Sequence, residues 1–123
     1  MNFPFFFKIF DKENRCYLPD DKSIRIQKGE VYFKYRLEGE IKLDEKRFVL
    51  LTSTGFRDKN DNLVYTGDIL DDGRGNHPHI YYSRGKGCFM LDYGDEKEPV
   101  QADMSLIADM KVEYNMVDRR KTI

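Results

Sequence analysis

Asp68, Asp71 and Asp72 are the carboxylates close enough in sequence to suggest acid–base chemistry or magnesium-assisted hydrolysis. Such a site also needs a base, a nucleophile or an orienting partner, and the neighbouring residues supply none. Asp68 therefore reads as a turn cap, and Asp71 and Asp72 as solvated charges. His77 and His79 flank Pro78, and strand alternation would set both imidazoles on one side, where Cys88 could join them around zinc. No Cys-x-x-Cys pair or second histidine motif completes a tetrahedron, so both read as exposed loop histidines, with no metal and no other cofactor expected. Asp58, Asn60 and Asn62 imitate the start of a calcium loop. Leu63 stands where that loop needs glycine and Ile69 where it needs a bidentate glutamate, so the stretch is a turn. Gly73-x-Gly75 and Gly85-x-Gly87 have the glycine content of phosphate loops, but neither opens a helix whose amides would face an anion.

The remaining cluster with functional chemistry is a candidate hairpin. Tyr81, Tyr82, Arg84, Lys86 and Phe89 interleave aromatic and basic side chains, the mixture by which small barrels stack and neutralise single-stranded nucleic acid. Arg74 and the terminal Arg119-Arg120-Lys121 would extend such a patch. Aromatic core residues beside a solvated charged turn give the same pattern. The charge balance, 21 basic against 22 acidic residues, provides no general field for nucleic acid or an anionic membrane.

Elements that position these residues are short and β-prone. Phe and Tyr are abundant and alanine is scarce, a composition that favours pleated, half-buried surfaces. At 123 residues one hydrophobic core is expected. Residues 5–10 form an apolar first strand that is covered on much of both faces, hence central or buried by a partner subunit. Residues 16–18, 24–27, 31–37 and 41–43 are further strands. Residues 48–51 make a strand ending near Thr52. Residues 56–57 and 63–65 make a hairpin across the polar turn 58–62. Residues 80–82 and 88–91 make a second hairpin, residues 102–109 one short helix, and residues 110–114 a last strand. Many short strands separated by turn signals argue for a small barrel or roll.

Cys16 and Cys88 have no partner pattern and fit a reducing compartment. The apolar N-terminal run lacks a basic leader and is cut short by Asp11-Lys12-Glu13, so a cytoplasmic protein without a membrane span is expected.

Residues 53–70, STGFRDKNDNLVYTGDIL, resemble the central motif of the YopX family of small phage and prophage proteins. Thr54, Gly55, Asp58, Lys59, Asn60, Tyr65, Gly67, Asp68 and Ile69 match its pattern. Asp61 stands where the family has glycine, and Thr52-Ser53 where it usually has Gln and an aromatic. Residues 7–14 resemble the family's opening strand and Asp-Lys turn, and residues 87–91 and 112–116 its later strands. The resemblance implies an SH3-like barrel over residues 46–123, with residues 1–45 as N-terminal strands packed on it in one compact unit. It also implies that Thr54, Gly55, Asp58, Asn60, Tyr65, Gly67 and Asp68 form a structural turn motif, and that the setting is a bacterial host cell. The function expected is a non-catalytic accessory module that binds a protein partner or itself. The alternatives are single-strand nucleic-acid binding through the hairpin of residues 81–89 and a small metal-dependent hydrolase.

Overall fold

The computed structural model describes residues 7–18, 24–34, 39–94 and 97–118. It is mainly β, with curled antiparallel sheets that include a half-barrel and one short helix. The strands are β1 (Phe7–Asp11), β2 (Cys16–Tyr17), β3 (Ile24–Gln27), β4 (Glu30–Lys34), β5 (Glu40–Lys42), β6 (Phe48–Arg57), β7 (Leu63–Tyr65), β8 (Asp68–Asp71), β9 (His79–Ser83), β10 (Cys88–Asp92), β11 (Val100–Gln101) and β12 (Lys111–Asn115), with α1 (Met104–Ala108) before the last. Two compact units divide the chain within β6, one ending at Thr52 and the other beginning at Ser53.

In the first unit β1 lies between β2 and the first half of β6. Ile9 and Phe10 are almost fully buried, on opposite faces of β1, as expected of a strand covered on both sides. The hairpin β3–β4 and then β5 make a separate three-stranded sheet. Alternation divides its faces sharply. Ile24, Phe33 and Ile41 form one apolar cross-strand row, with Ile26 and Val31 beside it. The opposite face carries Arg25, Tyr32 and Lys42 in a row. There Glu40 pairs with Arg25, Glu30 pairs with Lys42 at 2.8 Å, and Tyr32 donates to Glu30 at 2.9 Å. Phe33 and Leu43 join Ile9 in this unit's core.

In the second unit a five-stranded sheet runs β11-β10-β9-β8-β12. Val64, Leu70, Ile80, Leu91 and Ile107 are completely buried in its core. The β9–β10 hairpin and the β6–β7 hairpin fall where the sequence puts them. Helix α1 occupies the middle of the expected 102–109 segment. Its N-cap Asp103 accepts from the Leu106 amide at 2.8 Å, and its one fully buried side chain is Ile107.

One expectation is corrected. The strand does not stop near Thr52; β6 continues to Arg57. Gly55, at φ +83°, is absorbed as an irregularity, since the five residues of β6 from Ser53 to Arg57 face the three of β7 from Leu63 to Tyr65. A glycine after a small polar run can bulge a strand as readily as end it. The expected strand residues 5–6 and 35–37, the turn at 19–22 and the basic tail 119–121 lie outside the described residues.

Candidate functional site

The YTGD corner and the DKNDN turn are built by two buried aspartates. Asp58 Oδ1 accepts from the amides of Asn60 (2.9 Å) and Asn62 (2.8 Å), which closes the turn locally. Its Oδ2 accepts from the buried Val112 amide at 2.9 Å, a bond to β12 from 54 residues away. The turn is tied again just before that strand, where the Lys59 amide donates to the Met110 carbonyl at 2.8 Å. Asp68 Oδ2 accepts from the Tyr65 amide at 2.7 Å, so it caps the chain upstream of itself. Asp68 Oδ1 accepts from Asn115 Nδ2 at 2.9 Å, and Asn115 Nδ2 also donates to the Thr66 carbonyl. Gly67 sits at φ +84°, where an added Cβ would meet the Asn115 side-chain oxygen at 3.3 Å. Thr54 Oγ1 donates to the Val64 carbonyl and accepts from the Phe56 amide, bracing the irregular part of β6.

The motif thus grips β12 at Val112 and at Asn115. Between these points β12 carries a bulge, with Val112 opposite Leu70 and Tyr114 opposite Ile69, so that Glu113 is the extra residue. A bulge re-aims the side chain it carries, and Glu113 Oε1 comes within 2.6 Å of His77 Nδ1. Asp71, His77 and Glu113 together offer ligand atoms that all lie within 4.8 Å of one another. His77 arrives there from a braced loop. Asp72 accepts from the amides of Arg74 and Asn76 and from Asn76 Nδ2, and the Leu70 amide donates to the Pro78 carbonyl at 2.8 Å. The Asn76 side chain first, then the Arg74 amide, holds the Asp72 carboxyl below the usual carboxylate range against a smaller opposing effect of burial.

The acidic trio considered in the sequence is dispersed: Asp68 is buried in the corner, Asp71 faces His77, and Asp72 braces the loop. The two histidines also separate. His77 meets Glu113, while His79, on β9, lies 4.0 Å from Asp92 and against the Tyr81 ring. Cys88 contacts Met90 sulfur at 3.7 Å. Glu113 carries no sequence signal of its own; the one clue was a strand whose two flanking neighbours are apolar and aromatic.

The basic–aromatic hairpin divides as well. Tyr82 and Phe89 are cross-strand partners with rings 5.3 Å apart, and Phe56 continues the row at 6.0 Å from Phe89. Tyr82 is 51% exposed, and Arg84 and Lys86 are exposed at the tip. Tyr81 belongs to the other face, opposite buried Met90.

In the first unit the apolar face of the three-stranded sheet leaves Ile26 43% and Ile41 49% exposed. Beside it Ile9, Gly29, Val31, Leu43, Glu45, Phe48 and Leu50 line a cavity of about 230 Å³. Among the described residues no helix is long and apolar enough to cross a membrane.

Fold and motif together define a small mainly β protein of curled sheets, in which a central polar motif clamps the last strand. The chain belongs to the YopX family, whose profile, described as YopX protein, matches residues 6–115. It is similar in fold to the crystal structure of protein EF1440 from Enterococcus faecalis, with a TM-score of 0.61 and 21% identity over 93% of this chain and 94% of that one. No curated protein matches the sequence.

Proposed function

We propose that this YopX-family protein is a non-catalytic phage or prophage accessory module of the bacterial cytoplasm, and that it binds a protein partner or a second copy of itself through its N-terminal sheet. The observation that carries this reading is the asymmetry of β3–β4–β5. Its charged face is internally ion-paired, whereas its other face leaves Ile26 and Ile41 nearly half exposed beside an apolar cavity. The two exposed isoleucines lie on one face of the sheet, next to the cavity, and together they offer a partner an apolar contact. The cavity is smaller than the roughly 300–1,000 Å³ of small-molecule sites, so an inserted side chain suits it better than a free ligand.

The test is affinity capture of the tagged protein from lysogenic bacteria with and without nuclease, alongside light scattering of the purified protein. Nuclease-resistant capture of a protein, or a dimer, that Ile41→Lys abolishes supports the reading. A monomer that captures nothing defeats it.

A second reading, single-strand binding at the β9–β10 hairpin, rests on the exposure of Tyr82 beside Arg84 and Lys86. Nuclease-sensitive capture, or steeply salt-dependent binding of oligonucleotides lost in Tyr82→Ala, would support it instead.

A further inference from the structure

We propose that Asp71, His77 and Glu113 form a binding site for a divalent transition-metal ion, with zinc the preferred metal. The site lies in the second unit, so it goes beyond the partner-binding reading and stands or falls separately from it. A tetrahedral ion with bonds of about 2.1 Å sets its ligands about 3.4 Å apart. The donor atoms here are separated by distances from 2.6 Å up to 4.8 Å, which bracket that spacing and need side-chain adjustments of about an ångström.

Glu113 Oε1 is shielded from solvent and accepts no hydrogen bond from any described residue. His77 Nδ1 approaches it to 2.6 Å without hydrogen-bond geometry. A buried carboxylate oxygen without a donor is costly, and a shared cation beside His77 removes that cost. Lys111 is the cross-strand neighbour of Asp71, but it is exposed and makes no ion pair among the described residues, so it does not neutralise the cluster.

The supports are rigid in the way metal sites require. Glu113 is held from both sides by the Asp58–Val112 and Asp68–Asn115 bonds. Asp71 Oδ1 accepts from the Gly73 amide at 2.8 Å, which orients its carboxylate. One imidazole with two carboxylates selects against magnesium and calcium and favours zinc over manganese. Three protein ligands leave a coordination position for water, as in open zinc sites. Bound there, the ion ties the loop of residues 72–77 to the β12 bulge.

The experiment is titration of the whole chain, stripped with a chelator, with ZnCl₂, MnCl₂ and MgCl₂ by calorimetry and thermal melting. One zinc per chain should bind, more tightly than manganese, with no response to magnesium and a melting point raised by about 5 °C or more at saturation. Glu113→Gln and His77→Ala should each weaken zinc at least tenfold, whereas His79→Ala and Cys88→Ser leave it unchanged. Glu113→Gln keeps the side chain's shape and decides the matter if His77→Ala does not fold. Absence of zinc binding at 100 µM, undiminished binding in Glu113→Gln, or loss in the His79 or Cys88 variant would each overturn the site.

Discussion

The protein uses the same aspartate turn twice, once in each unit, and closes it by two different means. Asp11 and Asp58 are both buried, both are followed by lysine, and both use Oδ1 to accept amides from the turn ahead: Glu13 and Asn14 in one, Asn60 and Asn62 in the other. The remaining acceptor capacity of Asp11 is met by Asn14 Nδ2 and by the Arg47 guanidinium, which donates through Nε and Nη2 at 2.9 Å each. That of Asp58 is met by a main-chain amide of β12. A side-chain ion pair can be screened by salt and exchanged for another partner. A buried amide is open to neither. The first turn is therefore an electrostatic lock to a side chain 36 residues away, and the second a main-chain joint across 54 residues.

That contrast is most directly broken at Asp58. Asp58→Ala leaves three amides, one of them buried, without an acceptor and should destabilise the protein by about 3 kcal/mol in urea unfolding. A loss no larger than that of an exposed turn mutation would mean that the Val112 bond is not a joint. Next in size is Gly67→Ala at the neighbouring corner, where φ +84° and the Asn115 oxygen both oppose a Cβ. About 1–2 kcal/mol is expected, with the urea midpoint as readout.

The electrostatic half of the comparison is sharpened by pH. The Arg47 guanidinium holds the Asp11 carboxyl well below the ordinary carboxylate range; burial opposes this, and the Asn14 and Glu13 amides add to it. Because the native value is depressed below the unfolded value of about 3.9, the contribution is fully present above that pH and is lost as pH falls toward the native value. Stability measured from pH 6 to pH 2.5 should fall at the acid end, and Arg47→Gln should flatten that fall. An unchanged slope in Arg47→Gln would remove Asp11 as the cause. The smallest effect is at Asp61, which holds φ +62° where the family pattern has glycine. Asp61→Gly should raise stability by about 0.5 kcal/mol by relieving the left-handed backbone, and a decrease would show that its contacts with Arg57 outweigh the strain.

Much of the scaffold was legible because it is written in neighbours. Turn residues at 11–14 and 58–62, the period-two alternation of residues 24–27 and 31–33, and the two-sided burial of β1 are consequences of local backbone preference and of side chains pointing alternately up and down. The length of β6 was misread for the same reason. Gly55 gives one local signal whether a strand ends or bulges, and only pairing with β7 distinguishes the two.

What the amino-acid order determined by itself, then, was a set of strands and capped turns, together with the fact that Asp58 and Asp68 serve the backbone. Only the tertiary structure decided that both aspartates hold one strand, that the strand bulges at Glu113, and that Glu113 meets Asp71 and His77. The reason is physical. Hydrogen bonds within a turn depend on residues two to four apart, whereas the register of β8 against β12 joins residues forty or more apart and is set by the packing of the whole core.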